Sequence, residues 1–225
     1  MARSEEQNRR ARERARENII EAAIELFAER GVAGASIAEI TNRAGVARGL
    51  VNYHFGGKEQ LVSAVIDRWF ETVIGLAQVD GTADERLAAV IDGALLATGF
   101  AIPLQRAVLA MQQQPHTHRL FAESERRHEA GVTAAEDAVR EIFRARGAAD
   151  PALEEVMLRS MLEGVFVKYA VYGDTYPLED ARQWARALYG LPAPESPLPL
   201  PVPPRTGEPR PRASGATSVR DAPAE

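Results

Sequence analysis

The segment from Ser36 to Tyr53 most constrains what this chain can fold into. It opens with Ser36-Ile37-Ala38-Glu39, a capping box in which the serine side chain can accept the Glu39 N–H while the glutamate reaches back to the serine N–H. The helix that begins there is predicted to end at Gly45, because a left-handed glycine lets the chain turn sharply. A third short helix is predicted at 47–53, so the pair has the form of a helix-turn-helix.

A helix is also predicted before this pair. Over Asn18–Arg30, Ile20, Ile24 and Phe27 lie on one stripe, and the helix is expected to stop at Gly31. Apolar residues of the pair would pack against it: Ile37, Ile40, Ala44, Val46 and Val51. These patterns predict a three-helix domain over residues 15–60.

The outward face of the third helix has the composition expected of a DNA-reading helix. Arg48 can pair two donors with guanine, and Asn52 can form the matching pair with adenine. Gly49 would allow a close approach to the duplex, beside Tyr53. His54 and Lys58 follow where phosphate contacts are expected. A single Arg or Lys on a surface usually serves solubility, but the ordered set favours a DNA-binding unit.

Residues 15–65 resemble the N-terminal domain of the TetR family of transcriptional regulators. The matching residues are Phe27, Gly31, Ser36, Ile37, Ile40, Ala44-Gly45-Val46, Gly49, Tyr53-His54-Phe55 and Lys58-Glu59-Gln60-Leu61. The resemblance implies a homodimer that places the third helix of each subunit in a major groove of an operator. It also implies a C-terminal domain that binds a small-molecule effector and thereby releases the DNA.

The motif and the resemblance together nominate a set of DNA-contacting residues: Ser36, Thr41, Ala47, Arg48, Gly49, Asn52, Tyr53, His54 and Lys58. Three of them depart from the usual family pattern. Ala47 stands where a serine is usual, Asn52 stands where a tyrosine or tryptophan is common, and Thr41 replaces a usual alanine.

The distribution of charge also favours a DNA contact near the N-terminus. The formal net charge is −5, yet residues 9–16 hold five arginines and one glutamate. A polyanion is therefore expected to meet the N-terminal segment, with phosphate or minor-groove contacts. A solvated helix face is the alternative reading of this run.

The rest of the chain predicts an all-α fold with a disordered tail. Helical patterns cover 58–79, 84–99, 102–113, 115–146, 151–173 and 178–189. Residues 61–190 are thus expected to form a helical bundle, and the resemblance implies that this bundle is the ligand-binding and dimerisation domain. Residues 191–225 hold ten of the fourteen prolines, and we predict that they are disordered.

The segment 151–173 has two apolar stripes rather than one. The first comprises Leu153, Val156, Met157, Met161, Gly164, Val167 and Val171, and the second comprises Leu158, Leu162, Val165, Phe166, Tyr169 and Tyr172. Glu155, Arg159 and Glu163 fill the narrow polar arc that remains. With Ala181, Trp184, Ala185 and Leu188 on the next helix, the pattern predicts half of a four-helix dimer interface. A central core helix within one subunit is the alternative.

The effector itself is not identifiable from the sequence. Leu96, Phe100, Leu104, Val108 and Met111, with Gln105 and Gln112, could line a cavity or simply form the core. The mild acidity of 61–190 is a weak indication of a neutral or cationic effector, and a surface excess of glutamate explains it better.

Catalysis, metal binding and cofactor binding are not expected. His116 and His118 point about 200° apart on a helix and cannot chelate one ion. Glu123, Glu125 and His128 lie among no known catalytic motif.

The function expected from these features is that of a ligand-responsive repressor. A constitutive regulator or activator without an effector is an alternative to it, and a helical enzyme is a less favoured one. With no secretory or membrane segment recognised, a cytoplasmic location is expected.

Overall fold

The computed structural model describes residues 2–75 and 80–200, with side chains from residue 5 onward. Within these ranges every regular element is helical. The α-helices are α1 (Ala2–Gly34), α2 (Ile37–Ala44), α3 (Gly49–Phe55), α4 (Lys58–Gly75), α5 (Ala83–Phe100), α6 (Ile102–Gln112), α7 (His118–Ala145), α8 (Pro151–Tyr172) and α9 (Leu178–Leu188), and short 3-10 turns lie at Pro115–Thr117 and Gly173–Thr175. The all-α prediction is confirmed for the described residues.

Helix α1 is longer than the sequence predicted. It begins at Ala2 rather than Asn18, because Arg9 and Arg10 both pair with Glu6 one turn away and no glycine or proline interrupts residues 2–30. The backbone leaves helical geometry at Gly31, where φ is 68° and ψ is 172°. The predicted stop at Gly31 is therefore a kink, after which helical residues continue to Gly34.

The α2–α3 pair is built as the capping box predicts. The Ser36 Oγ accepts the Glu39 N–H at 3.2 Å, and the Ser36 N–H donates to the Glu39 carboxylate at 2.9 Å. Gly45 then adopts the left-handed conformation with φ of 66°. Helix α3 runs two residues later than predicted, because it has no side-chain cap at its start and ends only at the left-handed Gly56.

Two hydrophobic cores hold the helices together. The first unites α1, α2 and α3 with α4 and α6, and it includes Phe27, Ile40, Val51 and Leu61. The second unites α5, α7, α8 and α9 around residues such as Ile91 and Leu158. Helix α4 belongs to the first core, and it also packs against α7.

Residues 191–200 correct part of the disordered-tail prediction. They run along α9 and α5 without regular secondary structure, and Leu191 and Leu198 are buried in the second core. The Arg186 Nε donates to the Pro192 carbonyl, and the Arg182 Nη1 donates to the Ser196 carbonyl, each at 2.8 Å. Two leucines and two arginines offset the ordering entropy of a proline-rich segment. Residues 201–225, the remainder of the predicted tail, lie outside the described residues.

No single helix in the described ranges is long and apolar enough to cross a membrane. By length and composition only, α5 and α6 together would pass the same test, but they are bent by 87° where they meet.

Candidate nucleic-acid interface and internal cavity

One face of α3 is turned fully to solvent. We call Ala47, Arg48, Gly49, Asn52 and Tyr53 the recognition surface, since all five are exposed. Tyr53 is 64% exposed, whereas Val51 on the opposite side is completely buried. The buried side packs against α1, α2 and α4, and it therefore determines which side chains α3 presents.

The charges at the recognition surface are not neutralised within the chain. Arg48 and the half-buried Lys58, at the start of α4, form no ion pair with any described residue, unlike Arg30 and Arg43, which pair with glutamates of α2 and α1. Ser36 is exposed at the start of α2, where its hydroxyl also donates to the Glu39 carboxylate.

The structure does not bring Thr41 to this surface. Its side chain is 1% exposed, and its hydroxyl donates to the backbone carbonyls of Ile37 and Ala38. A residue buried in the α1–α2 contact cannot reach a phosphate without unfolding α2. This corrects the inclusion of Thr41 among the predicted contacts.

His54 is half-buried at the edge of α3. Its Nε2 is buried without a hydrogen-bond partner among the described residues. Burial, followed by the positive charges of Arg16 and Arg12, lowers the pKa of the imidazole. The ring is therefore neutral at neutral pH.

The N-terminal turns of α1 lie beside α3. Asn8, Arg12, Leu50 and His54 line a groove between the two helices, and the Arg16 guanidinium sits 5.3 Å from the Phe55 ring centroid. Sequence reasoning assigned residues 9–16 to a polyanion contact but missed that they continue α1. The absence of glycine and proline from residues 2–30 was the signal that could have shown it.

A second exposed surface is apolar. Much of the first stripe of α8 is in solvent, and it joins exposed residues of α9. We call this the α8/α9 face, and it comprises Leu153, Val156, Met157, Val167, Val171, Trp184 and Leu188, each between 37% and 61% exposed. The second stripe faces the interior through Leu158 and Tyr169, although Tyr172 is 55% exposed. This arrangement contradicts the alternative of a core helix buried on all sides in one subunit.

A cavity of about 450 Å³ opens between α4, α5, α6, α7 and α8. Aromatic rings from three of its sides line it, including Trp69, Phe70, Phe121 and Phe166. Gln105, also in the wall, is 3% exposed, and its Oε1 has no partner among the described residues.

The proposed cavity residues are only partly brought together there. Leu104, Gln105 and Gln112 line the cavity, whereas Leu96, Phe100, Val108 and Met111 do not. Val108 and Met111 belong to the first core instead, and Phe100 is 57% exposed. Sequence reasoning also missed that the polar arc of α8, formed by Glu155, Arg159 and Glu163, faces this cavity.

The histidine and glutamate residues weighed for chemistry are scattered. The His118 Nε2 lies 3.1 Å from the Gln112 carbonyl, while His128 stacks on Phe70 and contacts the Ser124 carbonyl. Across the described part of the chain, no three His, Asp or Glu side chains are grouped to hold a metal ion.

Known proteins are similar to this chain in sequence, most closely over its N-terminal helices. Residues 19–65 match the family described as bacterial regulatory proteins, tetR family. The HTH-type transcriptional regulator TtgR of Pseudomonas putida is 44% identical over 80 residues, which span 34% of this chain but only 38% of that relative. The HTH-type transcriptional regulator BetI of Brucella abortus is 28% identical over 168 residues, 71% of this chain and 81% of BetI.

Solved structures extend the similarity of fold to the second core. The SmeT–triclosan complex superposes with a TM-score of 0.60 at 24% identity, covering 84% of this chain and 99% of that chain. The sequence match covers helices α1 to α4, which include the exposed α3, and the structural match extends the similarity to the remaining helices. Over residues 19–65 the chain is therefore similar to the tetR family of bacterial regulatory proteins, and its overall fold is similar to that of the solved structure.

Proposed function

We propose that this protein is a transcriptional repressor that binds a palindromic operator as a homodimer and releases it when a small molecule occupies the cavity. The observation that carries the proposal is the recognition surface, in which Arg48 and Asn52 lie one turn apart on a helix held by a buried opposite side. Arg and Asn are the side chains that read guanine and adenine in the major groove. Operators lie in the cytoplasm of a bacterium, which is where the protein would act.

The contacts we propose fall into two groups. Arg48, Gly49, Asn52 and Tyr53 would meet base edges and the adjoining backbone. Ser36, Ala47, His54 and Lys58 would lie against phosphates and fix the register. Residues 15–60 would be the DNA-binding domain and 61–190 the effector and dimerisation domain.

Dimerisation is supported by the α8/α9 face. Seven exposed apolar side chains on two helices form a patch that would be covered by its own copy about a twofold axis. Such a dimer would present two α3 helices, and a spacing of about 34–36 Å would match successive major grooves.

Effector control is supported by the position of α4. Trp69 and Phe70 in its second half line the cavity, while Leu61 and Val65 in its first half are buried in the first core. A ligand that prefers one placement of α4 would shift the two recognition helices together or apart, by no more than its difference in affinity for the two states.

The test is binding to DNA from upstream of the protein's own gene in a gel-shift assay. Arg48→Ala and Asn52→Ala are each expected to weaken operator binding by about 10- to 100-fold, since one bidentate base contact is worth about 1–3 kcal/mol. Arg126→Ala is the matched control, because Arg126 is exposed on α7 without an ion pair among the described residues, and it should leave affinity unchanged.

If Arg48→Ala and Asn52→Ala both bound the operator with wild-type affinity, the proposed recognition surface would be contradicted.

A panel of small molecules, tested by thermal shift and by release of the operator, then separates a ligand-responsive repressor from a regulator without an effector. A regulator or activator without an effector would be neither stabilised nor released by any compound.

A further inference from the structure

The cavity has an apolar interior of a size suited to a small organic molecule. Its volume of about 450 Å³ falls within the usual range for ligand sites. Trp69, Phe70, Phe121 and Phe166 contribute ring surfaces. Rings of this kind pack against apolar groups, and their faces also attract cations.

Carboxylates outnumber cations among the described residues of the cavity wall. Glu155 is 3% exposed and receives the Arg159 Nε at 2.9 Å, and Arg140 reaches Glu136 at 3.0 Å. These two carboxylates are thus neutralised by arginines. Glu125 and Glu163 also line the cavity, from positions exposed to solvent, and neither forms an ion pair with any described residue. The site therefore carries surplus negative charge.

Arg159, the one cation among the described residues of the wall, is already engaged. It binds Glu155 and lies 3.5 Å from a Glu136 oxygen. An anionic ligand would have to break these contacts and face Glu125 and Glu163, so the charge pattern disfavours carboxylates and phosphates.

Gln105 is an independent indication that the ligand carries a hydrogen-bond donor. Its carbonyl oxygen is buried, has no partner among the described residues, and belongs to a side chain that lines the cavity. A buried acceptor without a donor is costly, and a ligand N–H or O–H group would satisfy it.

We propose that the cavity binds an organic cation, an ammonium with N–H donors on an aromatic or alkyl body. This inference rests on the proposed effector function and names its ligand class. The body packs on the rings of Trp69, Phe70 and Phe166. The ammonium donates to the Gln105 carbonyl or is held by the field of Glu125 and Glu163.

Matched probes of one shape test the assignment. Phenylbutylamine, phenylbutanol and phenylbutyrate differ only in the charge and donor capacity of one end. Titrated into the full-length protein by isothermal calorimetry, the amine is expected to bind at least about tenfold more tightly than the acid, with the alcohol between them. Acid binding as tight as that of the amine would overturn the proposal.

Two variants locate the interaction. The double variant Glu125→Gln, Glu163→Gln keeps the shape of both side chains and should weaken the amine about five- to tenfold while leaving the alcohol unchanged. Glu129→Gln, an exposed glutamate of α7 outside the cavity wall, should leave all three probes unchanged. Equal effects of the two changes would show that general surface charge, rather than the cavity, attracts the amine.

Gln105→Met removes the buried acceptor while keeping the volume. It should weaken the amine and the alcohol about tenfold each and leave the acid unaffected. Unchanged binding of both donors would overturn the role of Gln105.

Gel shifts with the same preparations separate this inference from the proposed function. Operator binding without any cation preference in the cavity would refute the ligand class alone. Cation binding without operator binding would refute the regulatory function while supporting the ligand class.

Discussion

Glu39 is the side chain on which the start of α2 depends most. Its carboxylate accepts the Ser36 hydroxyl at 2.7 Å and the Ser36 N–H at 2.9 Å, and it also receives Arg30 at 2.7 Å. The Ser36 hydroxyl and N–H, with a smaller contribution from Arg30, lower the pKa of Glu39 below its ordinary value of 4.5. The carboxylate therefore stabilises the folded protein only while it is ionised.

Glu39→Gln should destabilise the protein at neutral pH, with an effect that depends on pH. A carboxyl whose pKa is lowered by folding stabilises the native state above its unfolded value of 4.5, and this contribution is lost as pH falls through the lower folded value. The difference in unfolding free energy between wild type and variant, measured with urea, should be constant from pH 7 to about 5.5 and narrow below 4.5.

Glu129→Gln serves as the control here as well, because Glu129 has no ion pair among the described residues. A difference for Glu39→Gln that stays the same down to pH 4 would mean that the capping carboxylate is not the source of the effect.

Asp92 holds the two arginines that anchor residues 191–200. It accepts two hydrogen bonds from Arg182 and one from Arg186, all at 2.8 Å, and both guanidinium groups are at least nine-tenths buried. Asp92→Ala should cost about 2–3 kcal/mol in chemical denaturation, since buried cations lose their counter-charge.

The matched change Asp84→Ala removes an aspartate that is 63% exposed and pairs with Arg146. It should cost less than about 1 kcal/mol. Equal costs for the two variants would show that burial of the Asp92 cluster contributes nothing to stability.

At the scale of elements, the packing of the first turns of α1 against α3 was not predicted from the sequence. Apolar spacing predicted α2, α3 and the second half of α1, because residues there repeat every three to four positions against one core. The first turns of α1 contain few apolar residues, so no periodicity marked them. Their helix is sustained by ion pairs with Glu6 and by the neighbouring α3.

Arg12 in this extension should contribute to DNA binding through charge alone. It lines the groove next to His54 and forms no ion pair with another described residue. If each of the two subunits places Arg12 near a phosphate, Arg12→Gln should reduce the slope of log affinity against log salt by about 2, at about 0.9 per contact.

Arg126→Ala should leave that salt slope as it is in the wild type. The measurement is operator affinity between about 50 and 200 mM salt. An Arg12→Gln slope equal to that of the wild type would remove the α1 extension from the DNA interface.

At the scale of the whole molecule, the proposed recognition of an operator would also depend on the α8/α9 face, which lies outside α3. Trp184 is 61% exposed and Met157 is 56% exposed on the α8/α9 face. Large apolar side chains at the centre of a contact contribute most of its binding energy. Pairing of two subunits there would fix the distance between their α3 helices.

Met157→Glu combined with Trp184→Glu should convert a dimer into a monomer, because two buried carboxylates without partners would oppose association. Light scattering after gel filtration would report the mass, and operator affinity should fall by at least about tenfold, since one α3 binds only one half-site. Phe100→Glu, a change at an exposed apolar residue of α5, should retain the dimer. A monomeric wild type would contradict the proposed assembly.

Four local features could be predicted from the amino-acid sequence: the capping box at Ser36, the turn at Gly45, the polar composition of the exposed face of α3 and the succession of helices after α4. Each depends on residues close in the chain, so spacing and backbone preference are enough to reveal it. Which side of each unit is covered became clear from the three-dimensional packing. That packing buries Thr41, turns Glu155 and Arg159 toward a cavity and places residues 191–200 on α5 and α9. These outcomes depend on contacts between residues far apart in the chain, and local pattern carries no record of them.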